Sequence, residues 1–323
     1  MDHGLPPADW DQRVQQYGGG ILQSRPWGQF QEALGRELVW AEGEGWQWLA
    51  AIRRSRGLRY LMCNYGPVAT DEATMKAAVA SLVSSATKLQ ADFVRLEPQG
   101  FITASKLTQL GGRQITEVDP QYTRIVDLTA DEAVLRDGLT SGHRNPINGT
   151  QRRGITIRQT DATADFELFL TMLANTAGHS HVLFYPEDYY RHLFEVLGSA
   201  GVAKLYLAEA EGQPVAAALF YDWGGTRYYA HAGAYQELNR RVKASVSLVW
   251  QALLDAKAAK MRRFDLWGVA PEGDDTHHLA NLSRFKHGFG GTQLDYLGTW
   301  DVPIKRHKYQ LYSLYRKLRS LNS

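Results

Sequence analysis

The sequence has little cysteine, no long apolar run and almost no net charge. Its single cysteine, Cys63, excludes an internal disulfide framework and any cysteine-rich metal knuckle, and it suits a reducing compartment. No stretch approaches the roughly 18 consecutive apolar residues of a membrane span, and residues 1–30 lack the apolar run of a secretory leader. The 36 basic and 34 acidic side chains leave a formal charge of +2, which excludes a uniformly basic nucleic-acid coat. We therefore expect a soluble, cytoplasmic, globular protein.

Common catalytic motifs are also missing. The sequence contains no Walker loop, no G-x-G-x-x-G fingerprint, no H-E-x-x-H and no G-x-S-x-G. The weak candidates for a metal site are two histidine pairs, His277 with His278 and His179 with His181. Because no carboxylate or cysteine stands at a supporting spacing beside either pair, we expect solvated loop histidines and no bound metal.

The length and hydrophobic content of the chain predict about two globular domains. There are 323 residues, 44% of them hydrophobic, against a prior of roughly 150 residues per domain. Residues 38–66 predict a three-stranded meander, because Glu44-Gly45 and Arg56-Gly57 supply turns between apolar runs. A helix over 71–90 and a strand over 92–97 are predicted to follow.

The second half of the chain repeats this order. Strands are predicted over 205–210, 214–222 and 226–232, then a helix over 241–259 and a strand over 263–267. Further helices are predicted over 162–177, 186–197, 279–289 and 305–321, and a strand over 293–298. Residues 41–52 and 208–219 are identical at six of twelve positions. We interpret this as an internal duplication in an α/β (α+β) protein with mixed sheets.

Basic side chains are concentrated in a few segments. Residues 138–160 contain four arginines and no acid, and residues 301–323 contain six cations and one acid. Arg240, Arg241 and Lys243 form a third group. Such segments can contact nucleic-acid phosphates, which would make binding fall with salt, or they can form solvated faces.

Two charged side chains near the predicted strand 263–267 are the candidates for chemistry. Asp265 and Trp267 alternate with apolar residues, so a carboxylate and an indole share one face of that strand. Asp265 is either a pocket group at a strand end or an aspartate satisfied by a nearby turn. Lys286, between aromatic residues and before glycines, either presents a positive charge to an oxyanion or phosphate or is a solvated helix lysine.

These segments resemble the FemABX family, the aminoacyl-tRNA-dependent transferases that build peptidoglycan cross-bridges. The Arg-Phe-Lys-x-Gly-Phe-Gly-Gly run at 284–291, after a Phe-Asp-Leu-Trp-Gly strand, resembles the family's C-terminal signature. Four other segments resemble the family in the right order, namely Gln23-Ser24 with Trp27-Gly28 and Phe30, Arg144-Asn145, Asp188-Tyr189-Tyr190, and residues 298–303. The resemblance implies two GNAT-like domains in tandem, which we place at 1–128 with 300–323 and at 129–299.

The resemblance also implies roles for individual residues. Lys286, with Phe285, matches the lysine that positions the tRNA end and its aminoacyl ester, and Tyr189 matches a tyrosine that contacts the peptidoglycan precursor. The other candidates for substrate binding are Arg144, Asn145, Trp267 and Trp27. The reaction is attack by a precursor amine on the ester, with Asp265 and Glu97 as candidate general bases. The implied partners are aminoacyl-tRNA, a nucleotide- or lipid-linked precursor and the inner membrane face at its periphery, and no cofactor is required.

Three positions depart from the family pattern. Gln31 stands where the family commonly has a lysine after its tryptophan-glycine pair. Tyr185 stands where the family has an arginine, four residues before the tyrosine that matches Tyr189. Both changes remove positive charge and leave the nature of the acceptor open. Pro146 is expected to interrupt a helix in the central segment.

Two alternative functions remain open at this point. A coenzyme-A-dependent N-acyltransferase of GNAT type needs a pyrophosphate-binding loop, usually rich in glycine, and residues 233–244 have few glycines. A catalytically silent RNA- or envelope-binding homologue would fit the lost cations at Gln31 and Tyr185.

Overall fold

The computed structural model describes residues 1–178 and 184–320, and His179 and His181 lie outside them. The chain forms two compact units, one of residues 1–121 with the C-terminal segment from Tyr296, the other Tyr122–Asp295. Each unit is built around its own sheet.

The described residues contain fifteen strands, several of them short. They are β1 (Asp2–His3), β2 (Leu38–Gly43), β3 (Trp46–Ser55), β4 (Leu58–Cys63), β5 (Val68–Ala69), β6 (Phe93–Leu96), β7 (Arg113–Gln114), β8 (Tyr122–Asp127), β9 (Ile155–Thr160), β10 (Ala203–Ala210), β11 (Gln213–Trp223), β12 (Thr226–Ala234), β13 (Arg263–Gly268), β14 (Thr292–Asp295) and β15 (Trp300–Pro303).

Twelve α-helices lie in the same residues. They are α1 (Trp10–Gln16), α2 (Arg25–Ala33), α3 (Glu72–Lys88), α4 (Ala104–Gln109), α5 (Glu132–Asp137), α6 (Ser141–Asn148), α7 (Thr163–Ala177), α8 (Glu187–Ser199), α9 (Gln236–Val242), α10 (Ala244–Ala258), α11 (Ala280–His287) and α12 (Arg306–Ser320). Among these described helices, none combines the length and the hydropathy needed to cross a lipid bilayer.

The first unit contains the predicted meander and helix. β2, β3 and β4 pair antiparallel, and β6 returns parallel to β4. The connecting helix α3 begins at Asp71, whose side chain accepts from the Thr74 amide in a capping box. One face of α3 is buried on the sheet. β15, from the far end of the chain, pairs antiparallel to β6.

The second unit repeats this plan. β10, β11 and β12 form an antiparallel meander, and β13 runs parallel to β12 after the crossover helix α10. β8 pairs antiparallel to β13, as β15 does to β6. Both sheets are therefore mixed and mostly antiparallel, with a long helix packed on each, as the repeated pattern of the two halves predicts.

Two expectations about helices need correction. The helix predicted over 241–259 is α10, which begins only at Ala244 because Lys243 takes the left-handed conformation with φ of 58°, and residues 241 and 242 end the preceding helix α9. The Asn239 side chain accepts a hydrogen bond from the Ser245 amide across this break. Pro146 does not interrupt α6, because it lies two residues before the helix ends and removes a single amide donor there.

Candidate active site in the second unit

The parallel pair at the centre of the second sheet is short. β12 and β13 are in register only over Thr226–Tyr228 and Arg263–Asp265. Beyond this pairing, β12 shifts its register against its other neighbour, β11. Tyr229 pairs with Phe220, and His231 pairs with Leu219. The register of β13 against β8 is also irregular between Asp265 and Gly268. The candidate residues lie around this interrupted part of the sheet.

Asp265 stabilises an unusual backbone turn at the end of β13. Its Oδ1 accepts hydrogen bonds from the Trp267 amide at 2.7 Å and from the Thr123 hydroxyl. Trp267 has a φ of 59°, a left-handed conformation that is rare for a bulky residue. Burial raises the pKa of Asp265 to about 6, against the lowering effects of Thr123, the Trp267 amide and the charge of Lys286. Asp265 is therefore satisfied by a nearby turn, as one of the two alternatives predicts. Its carboxyl group is also buried and feels the charge of Lys286.

Lys286 is a buried lysine, not a solvated one. It lies on α11, is 4% exposed, and its Nζ donates to the carbonyl oxygen of Gly268 at 2.7 Å. The same Nζ lies 5.9 Å from the centre of the Tyr229 ring. Burial lowers the pKa of Lys286 to about 7, and the negative charge of Asp265 opposes this shift. The structure thus brings the two predicted catalytic charges into one electrostatically coupled pair.

The helix that carries Lys286 is fixed at both ends. At its start, the Ser283 hydroxyl accepts from the Ala270 amide at 2.6 Å and donates to the carbonyl of Leu279. At its end, the buried imidazole of His143 lies 5.5 Å from the Phe285 ring and would clash with any Cβ on Gly288. Phe285 therefore belongs to the packing that orients the lysine.

Arg144 and Asn145 follow His143 on α6 and are exposed. The Arg144 guanidinium donates to the carbonyls of Asp137 and Leu139 at 2.9 and 3.0 Å. Arg144 therefore closes the turn before α6. Burial lowers the pKa of His143, against the raising effect of a hydrogen bond with the Phe285 backbone, and the charge of Lys243 lowers it further.

Tyr189 and Trp267 lie at two ends of one aromatic cluster. The Tyr189 ring stacks on the Tyr185 ring at 3.9 Å and contacts His231. The Nε2 of His231 is hydrogen-bonded to the Tyr221 hydroxyl at 3.0 Å. The Trp267 ring packs edge-on against Tyr221 at 6.2 Å. Burial lowers the pKa of His231 to about 4, so the imidazole is neutral at neutral pH.

Tyr221 and His231 also belong to this cluster, and their sequence context does not predict it. Each lies on a strand of the meander, and the only signal was that an otherwise apolar strand carried a polar ring. Their proximity to Tyr189 follows from the register of β11 and β12 and could not be read from spacing.

Glu97 lies in the first unit, directly after β6. Its Oε1 accepts from the Asp119 amide at 3.0 Å and the Thr299 hydroxyl at 2.6 Å, and its Oε2 accepts from the Tyr65 amide at 3.3 Å. Burial, together with the nearby charge of Asp119, raises the pKa of Glu97 well above its ordinary value. These bonds hold three chain segments together, which is a structural role.

Trp27 and Gln31 lie on α2, also in the first unit. The Trp27 ring packs edge-on against Phe30 at 5.1 Å, and the Trp27 amide is capped by the Ser24 hydroxyl. Gln31 is buried, and its Oε1 accepts from the Arg36 guanidinium. A neutral side chain bound to a cation thus occupies the position where the family has a lysine.

The segment where a coenzyme-A enzyme would hold pyrophosphate is folded into helix. α9 begins two residues after β12, where the Gln236 amide donates to the Asn175 side chain at 3.3 Å, and after its end the Lys243 amide donates to the carbonyl of Asn239 at 2.7 Å. At the start of α10 the Ser245 and Val246 amides are also bonded internally, to Asn239 and Lys243. Such amides cannot cradle a pyrophosphate, which counts against the coenzyme-A alternative.

The chain is similar to known proteins both in sequence and in fold. The model of the FemAB family matches residues 201–317. The fold is similar to the crystal structure of FemX, with a TM-score of 0.78 and 16% identity over 96% of this chain and 99% of that chain. It is also similar to the structure of L-PGS from Bacillus licheniformis, with a TM-score of 0.60 and 15% identity over 98% of both chains.

A tandem GNAT protein from the clavulanic acid biosynthesis pathway matches with a TM-score of 0.52 and 13% identity, over 94% of this chain and 98% of that chain. No curated protein matches the sequence. The FemABX resemblance and the tandem GNAT-like fold are therefore confirmed.

Proposed function

We propose that this chain, whose residues 201–317 match the model of the FemAB family, is an aminoacyltransferase acting on a peptidoglycan precursor. It would move an amino acid from aminoacyl-tRNA to a side-chain amine of the precursor's stem peptide. The observation that carries this proposal is Lys286, a buried lysine whose pKa responds to the charge of Asp265 and which lies in the segment that resembles the family's C-terminal signature.

The chemistry requires charge stabilisation more than covalent help. The neutral amine nitrogen attacks the ester carbonyl, a C–N bond forms and the C–O bond to the tRNA ribose breaks. The proton that the nitrogen loses balances the proton that the ribose oxygen gains as it leaves as a hydroxyl group. Negative charge develops on the carbonyl oxygen during the attack. An ammonium group has three donors, of which Lys286 gives one to Gly268, so Nζ can also donate to the oxyanion. Because water is excluded around this lysine, the interaction is stronger than it would be in solvent.

Asp265 is the proposed proton acceptor. With a pKa of about 6 it is ionised at neutral pH, and its charge favours the protonated form of Lys286. Both of its hydrogen bonds go to Oδ1, so we assign proton uptake to Oδ2. Glu97 is a poor second candidate, because its raised pKa favours the protonated form and its oxygens already accept from the chain.

The acceptor site is proposed to recognise ring faces and peptide groups. At the position where the family has an arginine, Tyr185 is half-exposed and stacks on Tyr189. Gln31 likewise places no charge at the family's lysine position. Neither Tyr185 nor Gln31 offers a cation to a diphosphate. We therefore favour an acceptor whose diphosphate is not bound by these residues, such as a lipid-linked precursor.

The tRNA is proposed to contact the cations around α6, α9 and α10. The Thr150 and Ser247 hydroxyls bond at 2.7 Å, which joins the basic segment after α6 to α10. Arg152, Arg240 and Arg241 are exposed there. Arg158 is committed to an ion pair with Asp165 at 2.5 Å, so the segment offers less free charge than its composition indicates.

A transfer assay tests this proposal. Purified protein is incubated with tRNA charged with a labelled amino acid and with a lipid-linked or nucleotide-linked precursor. We expect label in the precursor, and none after ribonuclease treatment of the charged tRNA. Transfer from acetyl-coenzyme A but not from charged tRNA would contradict the proposal, as would tRNA binding without transfer to either precursor.

A further inference from the structure

The last described helix has one face committed to the protein. On α12, the Tyr309 and Tyr312 rings pack on Phe93 of β6 at 5.4 and 5.7 Å. The Tyr309 hydroxyl donates to Asp301 at 2.9 Å. The orientation of α12 on the first unit is therefore fixed by this inner face.

The opposite face of α12 is apolar and exposed. Leu311 is 71% exposed, Leu314 57% and Tyr315 46%. Their spacing of three and four residues places them in one sector of about 100°, turned away from Tyr309. Of the ten large apolar side chains that are exposed in the described residues, three lie on this one stripe.

The charged side chains that the structure describes on α12 all have one sign. They are Arg306, Lys308 and Arg316, and the helix contains no acid. The Arg316 guanidinium lies 5.8 Å from the centre of the Tyr312 ring on the inner face. Arg56, from the turn between β3 and β4, lies with its guanidinium 4.7 Å from the centre of the Tyr315 ring. Lys308 is partly neutralised by Asp92, at 3.5 Å.

We propose that this stripe, formed by Leu311, Leu314 and Tyr315, docks the protein on the surface of an anionic lipid bilayer. A helix with a narrow apolar stripe and a cationic polar face lies in the interface of such a bilayer, with its apolar side chains below the headgroups and its cations among them. Arg56, from the turn between β3 and β4, adds a cation beside Tyr315 of the stripe.

Other occupants fit less well. A protein partner of ordinary size covers roughly 800 Å² on each side, much more than three side chains provide. An RNA would contact the cations but would leave the leucines in water. The combination of exposed leucines with the exposed cations Arg56 and Arg306 is what favours a lipid surface.

Vesicle co-sedimentation tests this inference without tRNA or precursor, and therefore separately from the proposed transfer reaction. The full chain is mixed with phosphatidylcholine vesicles that contain either no phosphatidylglycerol or about 30 mol % of it. We expect binding to the anionic vesicles that falls at least about tenfold in the Leu311→Gln/Leu314→Gln variant. Arg56→Gln should weaken binding less, and more at low salt than at high salt.

The matched control is Val134→Gln, because Val134 is 60% exposed and lies in the other unit. It should bind vesicles as the unchanged protein does, and all variants should keep the same circular dichroism spectrum. Equal binding by the double leucine variant, or equal binding to neutral vesicles, would overturn the inference. Self-association or tRNA binding that disappears in the double variant, with no vesicle binding by the unchanged protein, would assign the stripe to a protein or RNA partner instead.

Discussion

The Nζ of Lys286 donates a hydrogen bond to the main-chain oxygen of Gly268 at 2.7 Å. This bond ties the lysine to the end of β13, the same strand that carries Asp265. Because lysine and aspartate lie on separate elements, the bond sets where the positive charge sits relative to the carboxylate. The predictions on catalysis follow from this arrangement.

The pH dependence of transfer should report both charges. The active form needs Asp265 ionised and Lys286 protonated, and with pKa values of about 6 and 7 this form is most populated between those values. The rate should therefore rise with pH through about 6 and fall above about 7. In Asp265→Asn the acid limb should vanish, and the alkaline limb should move to lower pH, because the charge that raises the lysine pKa is gone.

Single-turnover rates of variant and unchanged protein, taken as a ratio at each pH, cancel the titration of the substrate amine. A ratio that does not vary with pH would show that Asp265 and Lys286 do not titrate as a pair.

Gly288→Ala should displace the helix that carries the lysine. A Cβ at this position would lie 2.2 Å from Cε1 of His143, whose buried imidazole also contacts the rings of Phe285 and Phe289. We expect a loss of about 1–3 kcal/mol in unfolding free energy, measured by urea denaturation, together with slower transfer.

The second substitution His143→Ala, in the Gly288→Ala background, removes the clash and provides the control. The double variant should recover part of the lost stability, in a double-mutant cycle with a favourable coupling energy. Additive losses would mean that the glycine and the imidazole do not share this space.

Tyr185→Arg should shift acceptor preference. The substitution restores a cation at the family's arginine position, and Tyr185 is 52% exposed, so stability should change little. We expect a lower KM for a nucleotide-linked precursor, with a smaller change in kcat, when transfer rates are compared with those for an acceptor that lacks the nucleotide. Tyr185→Ala is the control, since it removes the stack on Tyr189 without adding charge. An identical effect of both substitutions on KM would count against a lost phosphate contact.

Arg95→Met should destabilise the first unit. The Arg95 guanidinium makes two hydrogen bonds to Asp301, at 2.8 and 2.9 Å, and Asp301 is fully buried. Removal of one partner leaves an uncompensated charge, for which we expect a loss of about 3–5 kcal/mol. Hydrogen exchange of the β6 and β15 amides measures this loss. Arg95→Met combined with Asp301→Leu should restore most of the protection, and failure to do so would exclude the pair as its source.

Local signals predicted much of the fold. The meander of β2, β3 and β4 was readable because its turns contain Gly45 and Gly57 at positive φ, and α3 was readable from its apolar period and Asp71 cap. The break at Lys243 was not, because a lysine in the left-handed region carries no sequence signal.

The candidate site was only partly readable. Lys286 and Asp265 could be named from their segments, but the burial that shifts both pKa values comes from tertiary packing. The stack of Tyr185 on Tyr189 depends on where the chain enters α8, and the contact of Tyr189 with His231 joins a helix to a strand more than forty residues away. Such contacts follow from topology rather than from motif.

Transfer by Lys286→Met, compared with Lys257→Met, tests the central claim most directly. Lys257 is a matched control, because its Nζ also donates to main-chain carbonyls, those of Leu128 and Ala130, at 2.9 and 2.7 Å. Single-turnover transfer from charged tRNA should fall at least about 100-fold in Lys286→Met, with tRNA affinity nearly unchanged, and by only a few-fold in Lys257→Met. Equal rates in the two variants, with both proteins folded, would contradict the assignment of Lys286 to the reacting ester.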